Sequence, residues 1–160
     1  MFGEALMRHL RAALSDAPDH ETELEAIGRV EYLMGLAIAD ALPGRDKLGT
    51  RRAADARAAE VASRFTDWRS FVLASLPALV APLERFRQME IAAPRALKDL
   101  MRLLTVHEEM LAQYLERSAA GTAAPDNDAL AGIENALRAY LVSHDIPDDF
   151  QNLAEKGQPF

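Results

Sequence analysis

At 160 residues, 49% apolar and 27% charged, the chain has room for one ordinary domain with its own core. A net charge of −7 works against phosphate backbones and anionic lipid surfaces, so neither nucleic acid nor a membrane is expected as a partner. With no cysteine, disulfides, thiolate metal sites and cysteine nucleophiles are excluded, and any metal site would rest on His, Asp and Glu, a donor set for iron, manganese or zinc.

The opening Met1-Phe2-Gly3-Glu4-Ala5-Leu6 lacks a basic stretch followed by an apolar one, so no secretory leader is expected. No segment reaches the roughly 18 uninterrupted apolar residues of a membrane span, and the expected compartment is the cytoplasm. From Phe2 to about Ser15 the spacing predicts an amphipathic helix with Phe2, Ala5, Leu6, His9 and Ala13 on one face. A second helix is expected from Asp19, its N-cap, to Leu42, where Pro43-Gly44 ends it. Its apolar stripe is Leu24, Ile27, Val30, Met34, Ile38, Ala41 and Leu42, with Glu21 and Glu23 in the favourable first turn.

Thr50 is placed as the cap of a third helix running to about Leu76, with Ala54, Ala58, Val61, Phe65, Trp68 and Val72 inward. Residues 50–91 read either as one kinked helix or as two, and the break is placed at Ser75 to Pro77. A fourth helix then carries Leu79, Leu83 and Phe86 to about Ile91. The fifth starts at Pro94 and ends at Gly121, and the sixth, capped by Asp126 or Asn127, runs to Ser143 with Leu130, Ile133, Leu137 and Leu141 inward. Phe65, Trp68 and Val72, and Met89, Met101 and Met110, are read as core. Residues 1–143 form one helical domain and 144–160 a tail. Helices joined by short loops imply an all-α, up-and-down antiparallel bundle with extra short helices.

Polar residues inside the apolar stripes carry the functional reading. On the fifth helix, Leu97, Leu100, Met101, Leu104, Leu111 and Leu115 define the inner face, and His107 and Glu108 fall within or beside it, while Glu109 and Glu116 face away. On the second helix Glu31 sits mid-stripe, flanked by Gly28 and Gly35. A buried carboxylate without a partner costs several kcal/mol. Glu31 and Glu108 therefore require a partner, a metal, a raised pKa or a wet pocket, and Glu31, His107 and Glu108 are the candidate ligand pocket. Glu31, Glu60, His107, Glu108 and His9 are the candidate metal ligands, although a structural polar cluster satisfied by nearby arginines is the commoner arrangement. Arg51, Arg52, Arg57 and Arg64 form a basic face that is more often solvated than ligand-binding.

The inward Glu31, the segment Leu103-Leu104-Thr105-Val106-His107-Glu108-Glu109-Met110 and the chain length together resemble the ferritin-like superfamily. That resemblance implies a ferritin-like bundle. Di-iron members pair Glu-x-x-His motifs on two helices with single glutamates on two others. Here the residues three before His9, His20, His107 and His144 are Leu6, Ala17, Leu104 and Leu141, so the resemblance implies a metal centre lost or rebuilt and no inherited oxidase or storage activity. Zinc-protease, phosphate-loop and serine-elbow motifs are also missing. The expected function is a bundle protein, more readily a non-enzyme than an enzyme and expected as a dimer, that binds itself, a protein partner or a small molecule through a polar pocket. The alternatives are a metal-binding protein or oxidoreductase with a non-standard His/Glu site, and an adaptor docking through tail residues Ile146, Phe150, Leu153 and Phe160.

Overall fold

Residues 2–42, 47–121 and 127–148 are described in the computed structural model, and they are all-α with no strand among them. Helix α1, Phe2–Ala13, buries Ala5, Leu6, Met7 and Leu10. The arc is rotated from the expected one: Leu10 is fully covered and Ala13 is exposed. A 3-10 turn, Ala17–His20, holds Pro18 near its start, and α2 spans Glu21–Ala41. Asp19 is thus not the cap of α2, because the turn that Pro18 initiates occupies that position.

The region between residues 47 and 92 is cut differently from the expectation. Helix α3 is Lys47–Ala62, so Thr50 lies inside it rather than capping it. The chain then turns through Ser63 to Asp67, and α4 spans Trp68–Val80 with Pro77 in its interior. Asp67 is the missed signal. Its carboxylate accepts the Ser70 N–H at 2.8 Å, and the Asp16 carboxylate accepts the Trp68 N–H at 3.0 Å, so the first turn of α4 is capped from two sides. Pro77 is tolerated because Leu73, whose carbonyl loses its donor, is 50% exposed and has water at hand. The second break falls at Ala81 and Pro82, and α5 spans Leu83–Ala92.

After Pro94 a 3-10 turn, Arg95–Leu97, leads into α6, Lys98–Ala119. Gly121, just past its end, takes φ +65°, a conformation a glycine adopts at little cost. Helix α7, Asn127–Ser143, buries Leu130, Ile133, Leu137 and Leu141 as expected, whereas Asp126 lies outside the described residues. Past α7, Asp145 takes φ +54° and the Ile146 N–H reaches back to the Leu141 carbonyl at 2.9 Å. Ile146 thereby packs on the core and Asp148 pairs with Arg138. The start of the tail is folded onto α7, and Phe150, Leu153 and Phe160 lie outside the described residues.

Packing partners do not follow chain order as in a simple up-and-down bundle. Helix α1 packs on both α2 and α3, α2 on α7, and α4 and α5 both on α6. Small Ala58 and Ala62, both fully covered, let α3 close onto α1. One apolar cluster joins α1, the first half of α2, α3, α4 and the end of α6, around Leu10, Trp68, Phe71 and Leu115. A second joins the end of α2, the start of α6 and α7, around Leu33, Leu137 and Leu141. Trp68 and Val72 are core, whereas Met89 is exposed on α5. Among the described residues no helix is long and apolar enough to cross a membrane.

Candidate functional site

The two clusters meet where α6 crosses α2, and the inward polar residues sit at that crossing. His107 is 2% exposed and lies between two carboxylates: its Nε2 is 3.2 Å from Glu31 Oε1, and its Nδ1 is 3.7 Å from Glu108 Oε1. Neither ring nitrogen has a well-aligned hydrogen bond, so both are charge contacts before they are hydrogen bonds. The three residues expected to share an internal site do come together.

Their protonation follows from burial and from each other. Burial presses the His107 pKa down, but the Glu31 charge and contact, followed by the Glu108 charge, outweigh it and hold the imidazole pKa above its ordinary value. Burial presses Glu31 upward, and the charge and contact of His107 more than reverse this, leaving its pKa below the usual carboxylate value. Glu108 goes the other way. Its burial raises its pKa, His107 opposes this in part, and the Glu31 charge adds to the rise. The arrangement is a buried imidazolium–carboxylate pair with a second, more easily protonated carboxyl beside it.

Glu31 and Glu108, 20% and 17% exposed at their side chains, look into a cavity of about 490 Å³ bounded by α1, α2, α4 and α6 and by Val61 and Phe65. Apart from Ser75 and the two carboxylates, its wall is apolar, with Phe2, Phe65 and Phe71 as the aromatic members. The space exists because small residues face it: Gly3 on α1, and Ala74, Ser75 and Ala78 on α4. Gly3 is specific to Glu31. A Cβ built on Gly3 would stand 2.0 Å from Glu31 Oε2 and 2.2 Å from Glu31 Cδ, so the carboxylate rests against the bare backbone of α1. Sequence reasoning missed this residue, although a glycine in the first turns of a strongly amphipathic helix was a signal. Gly28, singled out for close approach, has only ordinary contact at 3.5 Å to Met7.

The candidate metal set is not gathered. His9 Nε2 pairs with Asp55 at 3.1 Å between α1 and α3, and Glu60 is an exposed residue paired with Arg64. Glu31 and Glu108 approach opposite nitrogens of one imidazole, whereas chelation needs donors converging on a single point. Among the described residues no group of three or more His, Asp and Glu side chains is arranged to hold a metal ion. Of the basic face, Arg64 is taken up by Glu60, and Arg57 lies over the Phe2 ring, 5.7 Å from its centroid. Phe65, read as core, forms cavity wall together with Phe71. No family model, curated protein or solved structure matches the chain.

Proposed function

We propose that this protein binds a small amphipathic molecule in the cavity between α1, α2, α4 and α6, with the apolar body against the aromatic wall and the polar end against Glu31 and Glu108. The observation that carries the reading is the shape of the site. A cavity of about 490 Å³ lies within the roughly 300–1,000 Å³ range of small-molecule pockets, and like them it is mostly apolar with a few polar groups on its wall. A ferritin-like origin with a rebuilt centre would account for inward carboxylates on α2 and α6, and it belongs to the reading only as a proposal.

A neutral aromatic dye such as phenylnaphthylamine tests it. Saturable one-to-one binding is expected, and it is expected to be lost in Ala78→Trp, which fills the cavity from a position that is exposed in the empty protein. Binding that is absent, or that survives Ala78→Trp in a protein with unchanged helicity, overturns the reading. So does stoichiometric transition metal in protein purified without chelator and lost on Glu108→Ala, which would favour the metalloprotein alternative.

A further inference from the structure

The two carboxylates on the cavity wall are not equally compensated. Glu31 is matched by the His107 imidazolium. Glu108 shares that same imidazolium at a longer 3.7 Å, and the charged groups acting on it are His107 and Glu31, which partly cancel. Nearby cations are committed elsewhere: Arg8 to Glu4 and Asp55, Arg64 to Glu60, and Arg57 to the face of Phe2. Among the described residues neither Glu31 nor Glu108 has an ion pair with Lys or Arg. The N-terminal ammonium acts on Glu31 and His107 but is not among the charges acting on Glu108, so Glu108 is the under-compensated carboxylate on a mostly apolar wall.

An anionic head group would add repulsion there, and a neutral one would leave Glu108 either protonated or uncompensated. An ammonium would supply the charge that Glu108 lacks and donate to its carboxylate at the cavity wall. Taking the cavity as the binding site, we infer that its occupant is a monocationic amine on an apolar body. Head-group selectivity is assigned to Glu108, while His107 keeps Glu31 ionised and fixed. The apolar part is set by the chamber between Phe65, Phe71 and Leu115.

Three probes with one body and different heads separate this inference from the cavity reading beneath it: phenylbutylamine, phenylbutanol and phenylbutyrate, titrated calorimetrically at neutral pH. The amine is expected to bind at least about tenfold more tightly than the alcohol, about 1.4 kcal/mol, and the acid most weakly. In Glu108→Gln, which keeps the shape and removes the charge, the amine advantage should fall to about threefold or less while alcohol binding persists. Equal binding of all three, or tightest binding of the acid, overturns the cationic ligand and leaves the cavity reading standing. An amine preference undiminished in Glu108→Gln overturns the role of Glu108. Absence of binding by all three overturns both the inference and the cavity reading.

Discussion

Two histidine–carboxylate pairs in this protein have the same chemistry and opposite surroundings. His9 meets Asp55 at 3.1 Å and His107 meets Glu31 at 3.2 Å. Asp55 is 46% exposed and also takes a hydrogen bond from Arg8, so its pair is a surface ion cluster tying α1 to α3. His107 is 2% exposed, and its partner has been withdrawn from bulk water into a cavity wall. Distance therefore says little about what a pair does. Dielectric and available alternatives decide: water can replace Asp55 for His9, whereas His107 is the main counter-charge of Glu31, with the N-terminal ammonium a smaller one.

The largest expected effect follows from that contrast. His107→Ala would remove the main counter-charge of Glu31, and truncating one member of a buried pair costs about 3 kcal/mol or more. Because the Glu31 carboxylate keeps some access to cavity water, the low end of that range, about 3 kcal/mol, is expected in urea denaturation. A loss below about 1 kcal/mol would make the buried pair no different from the surface one. Next comes Gly3→Ala. Alanine ordinarily favours a helix interior by about 1 kcal/mol over glycine, yet here its methyl would occupy the space of the Glu31 carboxylate. A net loss of about 1 kcal/mol is expected, in the range of overpacking penalties, and a gain is expected when the same change is made in Glu31→Ala. If Gly3→Ala destabilises equally in both backgrounds, Gly3 and Glu31 are not coupled.

How much of this was legible beforehand depended on whether the signal was local. Helical periodicity placed Glu31, His107 and Glu108 inward because each sits in a long apolar stripe on an uninterrupted helix, and those three do meet. Periodicity also made residues 50–76 one helix, since Phe65, Trp68 and Val72 keep helical spacing across a turn. The Asp67 cap competes with that pattern and wins, because a carboxylate accepting the Ser70 N–H ends one helix and starts another in a few residues. Long-range features were not legible. That α3 packs on α1, that Gly3 faces Glu31, and that His9 finds Asp55 all depend on pairings across 28 to 46 residues that no spacing rule encodes.

The pH dependence of stability is the next smaller test. The His107 pKa is raised above 6.5 in the folded protein, so its contribution is complete below about pH 6.5 and is lost as pH rises through the folded value. The Glu31 pKa is lowered, so its share is present above about pH 4.5 and is lost as pH falls through the folded value. Stability should therefore decline as pH rises from about 6.5 through the folded His107 value, and Glu31→Gln should flatten that decline. Glu108, with its pKa raised, acts in the same direction at lower pH, because the folded state holds its proton more tightly than the unfolded one. Urea midpoints measured across this range in the parent and Glu31→Gln would reveal it, and identical slopes would remove His107–Glu31 as the titrating pair.

The smallest effect is expected at the other pair, and it completes the contrast. Asp55→Ala removes hydrogen bonds to both Arg8 and His9, so by hydrogen-bond count it loses more than His107→Ala, which removes two charge contacts and no well-aligned hydrogen bond. Counting is misleading here because every member of that cluster keeps access to water, and exposed ion pairs contribute about 0–1 kcal/mol. The Asp55 pKa is lowered by hydrogen bonds from Arg8 and then His9, yet an exposed carboxylate exchanges those bonds for water on unfolding at little net cost. A loss below about 1 kcal/mol is expected, diminishing further in high salt as the charges are screened. A salt-insensitive loss approaching that of His107→Ala would mean that the α1–α3 contact is locked by Asp55. The wall that α1 presents to the cavity would then depend on the surface cluster as much as on the buried one.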